Sequence, residues 1–404
     1  MEHVYIPVAP LWHGWTPLAG DDAGRVATGV QLDPQDDRDA RALEVCPRRP
    51  QFLLAGEIAP QRLDKRHQNR RLLGTQSALH TRGNVPGPAS ISAGPGVPLP
   101  AVTDLERAVI SLGFDVAAVT PLAGDASQRR FFRVLGAAGG SVVAALYPAE
   151  IAAQAARDHA VQRWGFDRGL PIPRPLGCTE AVTVSEDLGD TDLERALARG
   201  VDAVPLALDA LAAFGSCRWD GLATPPFDAS LFRRELAVFE DFTFGQRRDP
   251  ASTAFLDSLA QRLADHPYRL VHRDFHVNNL FLHGGKVLAV DFQDMRAGPD
   301  TYDLASLLRE RSGAQAIDRE ETWKALAAER LAWDAGWGER YLECAAQRGL
   351  KVIGTFLRLA SLGRRRYLDW IPPVASRALA ALAELSAPVA FGDAIAGAIG
   401  RQGL

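Results

Sequence analysis

Two polar segments in the C-terminal half, each bounded by short apolar runs, most constrain how this chain can fold. The first, His272-Arg273-Asp274-Phe275-His276-Val277-Asn278-Asn279, has the form H-x-D-x-x-x-x-N and lies between the apolar runs 270–271 and 280–282. The second, Asp291-Phe292-Gln293, begins seventeen residues after Asp274, at the end of the apolar run 287–291. Runs this short read as strands, not helices. The chain therefore has to fold so that two polar loops meet at the ends of neighbouring strands.

Upstream of these segments the pattern changes twice. Residues 1–100 include a dense run of charge at 62–71 and a Pro- and Gly-rich stretch at 84–100, without helical or strand period. Such a stretch buries little apolar area against its chain entropy. Residues 1–100 are thus expected to be a disordered extension, or to follow a start site placed too far upstream; a small interaction arm is the alternative. From Asp104 the chain turns regular. Residues 104–112 have the helical period with an acidic first turn. Runs 117–122, 131–135 and 142–146 read as strands, the first two separated by Gly124-Asp125-Ala126-Ser127. Residues 151–168 read as a helix and 182–186 as a strand. Helical patterns dominate afterwards, at 192–199, 204–216, 230–239, 303–311, 319–332, 338–348, 352–362 and 375–385. A β-rich start with a helical remainder predicts an α+β protein of two lobes: a small one over 101–188 and a helical one over 189–404 that carries the polar segments.

The residue types in those segments suit one chemistry. Phosphoryl transfer from ATP needs a carboxylate to orient the attacking hydroxyl and take its proton, and oxygen ligands that hold magnesium across the phosphates. Asp274 can be that base. Asn279, five residues on in the same tight loop, can turn its carbonyl oxygen to the metal, and Asp291 can supply the bridging carboxylate. His272 is expected to be structural, bonding backbone of the loop. Asp303 follows Gly298-Pro299 and opens a helix, so it reads either as an N-cap or as a brace for the catalytic loop. In the small lobe, residues 124–133 (GDASQRRFFR) form a turn between strands. Backbone N–H groups at Gly124 and a hydroxyl at Ser127 can there cradle phosphate oxygens. Residues 184–190 (VSEDLGD) fall where an interlobe hinge belongs, so the backbone of Glu186 to Leu188 can read the adenine edge. His159, His266 and His283 have no partners at ligand spacing and read as surface residues.

With these residues in place a resemblance is visible. LVHRDFHVNNLFL and VLAVDFQDMRAGPDTYDLASLL resemble the aminoglycoside phosphotransferase family of the protein-kinase-like fold. GDASQRRFFRV, PPFDASLFRRELAVFEDF and LKVIGTFLRLASLGRRRYLDWIP resemble a narrower branch, the anomeric kinases of cell-wall amino sugars (N-acetylmuramate/N-acetylglucosamine kinase). The resemblance runs from about Asp104 to the C-terminus and leaves residues 1–100 out. It implies a bilobal kinase-like fold, ATP and magnesium as cofactors, and phosphorylation of the C1 hydroxyl of a free hexosamine in the recycling of peptidoglycan sugars. Carried over by position, it makes Asp274 the base and Asn279 and Asp291 metal ligands. Glu235, in the RREL segment, becomes a candidate for binding sugar hydroxyls. One departure stands out. A typical kinase pairs a third-strand lysine with a helix glutamate to hold the α- and β-phosphates. Here that strand, Ser141-Val142-Val143-Ala144-Ala145-Leu146-Tyr147, has no lysine, and the following helix offers only Asp158. Arg129 or Arg130 is expected to supply the charge. Acceptor specificity is expected from the helical lobe, around 227–242 and 350–367.

Two other readings stay open. The acceptor can be an aminoglycoside, another hexose or a small alcohol; a cationic aminoglycoside would want acidic residues such as Glu235, Glu240 and Asp241. The absent lysine also admits a catalytically inactive nucleotide-binding scaffold. Composition narrows the setting. A net charge of −4 gives no reason for nucleic acid or an anionic membrane as partner; the resemblance implies a small-molecule sugar. The four cysteines lie far apart without a CxxC pair, so neither a zinc site nor a disulfide framework is expected. No basic start leads into an apolar stretch, and no apolar run reaches the ~18 residues of a membrane span. A cytoplasmic setting is expected.

Overall fold

The computed structural model describes residues 102–122, 128–310 and 319–401. The expectations for residues 1–100, and those for Gly124 and Ser127, lie outside the described residues.

The β-rich part is a five-stranded antiparallel sheet in the order β1-β2-β3-β5-β4, built from β1 (Ala118–Pro121), β2 (Arg130–Leu135), β3 (Ser141–Leu146), β4 (Pro175–Cys178) and β5 (Val182–Glu186). Strand alternation decides what each face does. Phe132 and Val134 of β2, Ala144 and Leu146 of β3, and Val182 and Val184 of β5 bury one face. They pack against Leu105 and Val109, which share a stripe of the helix α1 (Val102–Ser111). The intervening residues, among them Val143, Ala145, Thr183 and Ser185, line a cleft on the other face. Helix α2 (Gln154–Phe166) closes that side, where its Gln162 donates to the Pro173 carbonyl at 2.9 Å and to the Ser185 hydroxyl at 2.9 Å.

The helical part holds the larger core. Helices α3 (Leu193–Ala198), α4 (Val204–Ser216), α5 (Ala229–Thr243), α6 (Pro250–Ala264), α7 (Tyr302–Arg309), α8 (Glu320–Leu331), α9 (Trp337–Ser361), α10 (Ile371–Glu384) and α11 (Ala390–Arg401) follow in sequence. Asp228 and Asp249 cap α5 and α6, accepting from the main-chain N–H of Leu231 at 2.6 Å and Ser252 at 2.8 Å. Two short antiparallel pairs are set among the helices: β6 (Tyr268–Val271) with β9 (Arg296–Pro299), and β7 (Leu280–His283) with β8 (Lys286–Ala289). The two polar segments are the loops that leave β6 and β8.

Several expectations change. Residues 338–348 and 352–362 belong to one helix of 25 residues, α9. Gly349 does not break it. A Cβ there would lie 2.6 Å from the Ala378 Cβ, so the glycine serves the close approach of α10. Gly354 does the same toward α5, where a Cβ would lie 2.6 Å from the backbone of Phe239. Asp291 does not end a strand. β8 stops at Ala289, and Asp291 sits beyond it in a left-handed conformation (φ 65°) that opens a single 3-10 turn. Strands β4 and β9 and helices α6 and α11 were not expected from the sequence.

Candidate active site

The catalytic loop leaves β6 and is held by its backbone. The Asp303 carboxylate accepts from the main-chain N–H of His272 at 2.5 Å and of Arg273 at 2.9 Å. Those bonds are a brace's; the N-cap position of α7 belongs to Thr301. The brace supports Arg273 at a positive φ of 82°, a conformation that is uncommon for a side-chain-bearing residue. The His272 ring packs edge-on against Phe214 at 5.5 Å and Phe275 at 5.9 Å. Burial holds its imidazole down at about 4, so it is neutral at ordinary pH.

Asp274, Asn279 and Asp291 converge. The Asn279 side-chain amide donates to the Asp274 carbonyl at 3.0 Å, and the Val290 N–H donates to the Asn279 carbonyl at 2.8 Å, which sets Asp291 next in line. With its amide nitrogen so used, the Asn279 Oδ1 is buried without a hydrogen-bond partner. An orphaned amide oxygen is costly inside a protein, and it suits a hard cation. The described residues hold no group of three or more His, Cys, Asp or Glu side chains placed to bind a metal. A site of one carboxylate and one amide oxygen fits magnesium, which takes its other ligands from phosphates and water.

Charges from α9 surround Asp274. Arg348 donates to the Asp274 Oδ1 at 3.2 Å, to the Arg273 carbonyl, and to Glu310. The Lys351 ammonium lies 3.8 Å from the Asp274 Oδ1 and 3.5 Å from the Glu235 Oε1. Burial would push the Asp274 carboxyl up, but Lys351, Arg348 and Arg273 outweigh it and hold the group well below the usual carboxylate range. Glu235, from α5, is equally enclosed: Arg273 donates to its Oε1 and Gln347 to its Oε2, each at 2.8 Å.

On the sheet side, a cleft of about 230 Å³ is lined by Arg129, Glu186, Leu188 and Asp291, among others. Arg129 enters it from the start of β2. It donates to the Asp291 Oδ1 at 2.8 Å and reaches the Asp158 Oδ2 of α2 at 3.3 Å, while Tyr147 donates to that same oxygen at 3.0 Å. An arginine from the neighbouring strand and an aspartate from α2 thus form the pair that a third-strand lysine and a helix glutamate form elsewhere. At the end of β5, the Glu186 carboxylate accepts from the Arg174 N–H at 3.2 Å, and Asp187 holds Arg133 at 2.6 and 3.0 Å.

The model of the phosphotransferase enzyme family (APH) matches residues 118–343. The chain belongs to this family. The phosphotransferase is 30% identical over 289 residues to the N-acetylmuramate/N-acetylglucosamine kinase of Neisseria meningitidis, covering 63% of this chain and 82% of the relative. It is also 30% identical over 281 residues to the kinase of that name from Pseudomonas aeruginosa, covering 63% of this chain and 81% of the relative. Among solved structures, a choline/ethanolamine kinase family protein from Mesorhizobium loti shares its fold at a TM-score of 0.51 and 15% identity, over 74% of this chain and 97% of that one. The fold is the bilobal, protein-kinase-like α+β fold, and the enzyme is a kinase that transfers a phosphoryl group to a hydroxyl.

Residues that sequence reasoning missed lie mainly on α9: Gln347, Arg348 and Lys351. Their signal was faint, because residues 338–348 and 352–362 read as two helices, which divides the stripe the three share on α9. The surface reading of His266 is corrected: its side chain is 5% exposed and meets Glu343 at 2.6 Å. The side chain of His283 is 39% exposed and lies 3.4 Å from the Leu188 carbonyl. No helix among the described residues is long and apolar enough to cross a membrane.

Proposed function

We propose that this phosphotransferase uses ATP and magnesium to phosphorylate the anomeric C1 hydroxyl of N-acetylmuramate and N-acetylglucosamine, in the cytoplasm, during reuse of cell-wall sugars. The observation that carries the reading is the convergence of Asp274, Asn279 and Asp291. The names of the relatives support the choice of acceptor. Asp274 orients the acceptor hydroxyl and takes its proton. Held so firmly as a carboxylate, it is a weak base, so the proton moves late, once the hydroxyl oxygen has begun to bond phosphorus. The Asn279 Oδ1 and Asp291 hold magnesium, which neutralises charge on the phosphates of the donor. Arg129 steadies those phosphates from the sheet, and the backbone from Glu186 to Leu188 receives the adenine. Glu235 meets sugar hydroxyls through its enclosed carboxylate.

A cationic aminoglycoside is the poorer acceptor. Its ammonium groups would meet the cations Arg273 and Lys351 at Glu235, and Glu240 is buried against Arg233. The test is a magnesium- and ATP-dependent assay over amino sugars, hexoses, small alcohols and aminoglycosides. Turnover highest with the two N-acetyl sugars is expected. Turnover confined to aminoglycosides would reverse the choice of acceptor, and no turnover with any acceptor would favour an inactive scaffold.

A further inference from the structure

Lys351 stands out among the buried groups. Its side chain is 5% exposed, and its ammonium has no hydrogen-bond partner. The nearest carboxylates, the Glu235 Oε1 at 3.5 Å and the Asp274 Oδ1 at 3.8 Å, stand on either side of it, within ion-pair range. An ammonium carries three donors. Leaving all three unspent away from water is costly even beside two carboxylates. The groups around it share the property. The Gln347 Oε1, the Arg273 Nε and the Tyr302 hydroxyl are also buried without hydrogen-bond partners. The polar cluster around Glu235 thus holds more donors and acceptors than its own members satisfy. A core built only for stability would have paired these groups or done without them.

We infer that Lys351 is an acceptor-binding residue: its ammonium donates to an oxygen of the acceptor next to the reacting hydroxyl, between Glu235 and Asp274. The inference rests on the reading of the protein as a sugar kinase and adds the residue that recognises the sugar. The Gln347 Oε1, one turn earlier on α9, takes a hydroxyl of the same molecule. The acceptor class that fits is rich in oxygen and neutral or anionic. A polycation would bring more donors to a place that already has them in excess, and would meet the charges of Arg273 and Lys351.

The test is Lys351→Met, which keeps the length and apolar stem of the side chain and removes its donors. The full chain is assayed with N-acetylglucosamine and with N-acetylmuramate. KM for sugar and KM for ATP are measured separately. The expected result is a KM for sugar raised about tenfold or more, with KM for ATP within about twofold of the parent. An unchanged KM for sugar overturns the inference, as does an equal rise in KM for ATP, which would mark Lys351 as a support of the whole site. If Lys351→Met does not fold, Lys351→Arg keeps the charge but displaces the donors; the same rise in KM for sugar is expected, and its absence counts against the inference. A parent enzyme that phosphorylates neither sugar overturns the sugar reading and, with it, this inference. A parent that phosphorylates them while the variant keeps its KM overturns only the assignment of Lys351.

Discussion

The side-chain amide of Asn279 is spent on the main-chain carbonyl of Asp274, 3.0 Å away, and this leaves the Asn279 carbonyl oxygen buried without a partner. One hydrogen bond therefore both closes the loop and frees the oxygen proposed to ligate the metal. Asn279→Ala loses both. Titration of activity with magnesium should show the half-saturating concentration raised at least about tenfold. An unchanged magnesium requirement would remove Asn279 from the metal site.

Arg129 links the sheet to Asp158 of α2 and to Asp291. Arg129→Ala should raise KM for ATP about tenfold or more while KM for the acceptor moves little, since the arginine lies on the nucleotide side. Asp158→Asn should give a smaller change in the same direction. Steady-state kinetics with each substrate varied in turn checks both.

Glu235 gives a pH signature of stability. Burial would raise its carboxyl, but Lys351 and Arg273 prevail and hold it at about 2, against an ordinary value of 4.5. The folded state therefore favours the ionised form. Its contribution is complete above about pH 4.5 and is lost as pH falls toward 2. Glu235→Gln leaves Arg273 and Lys351 without their counter-charge and should cost about 3 kcal/mol near neutrality. The gap between the two proteins should narrow below pH 4.5. Urea unfolding at a series of pH values measures it; a gap that widens on acidification contradicts the assignment.

Gly354 tests how α9 is set against α5. Alanine is the better helix former by about 1 kcal/mol, yet its Cβ would fall 2.6 Å from the backbone of Phe239, which cannot step aside as a side chain can. Gly354→Ala should therefore destabilise by about 1–3 kcal/mol. Glu235 lies one turn before Phe239, and Lys351 one turn before Gly354, so the same change should raise KM for the acceptor. Urea unfolding and acceptor kinetics check the two effects.

The sequence was legible where interactions are local. Asp274 and Asn279 lie in one loop, and short apolar runs on either side marked the strands that carry it. The helical period of residues 104–112 and the short apolar runs of β2, β3 and β5 were likewise visible. What was hidden depends on partners distant in the chain. β4 contains Pro175 and Gly177, and β9 contains Gly298 and Pro299, residues of poor strand propensity; they are strands because β5 and β6 offer them hydrogen bonds. Gly349 reads as a helix break until Ala378 is seen against it. Gln347, Arg348 and Lys351 share one stripe only once residues 338–348 and 352–362 are joined in α9.

The central claim is that Asp274 handles the proton of the acceptor hydroxyl in a site that binds nucleotide without its help. Asp274→Asn, assayed with N-acetylglucosamine and N-acetylmuramate beside a direct measurement of ATP binding, tests it. The account predicts turnover lower by about 10²- to 10⁴-fold, with ATP affinity close to that of the parent. Turnover equal to the parent's would contradict it.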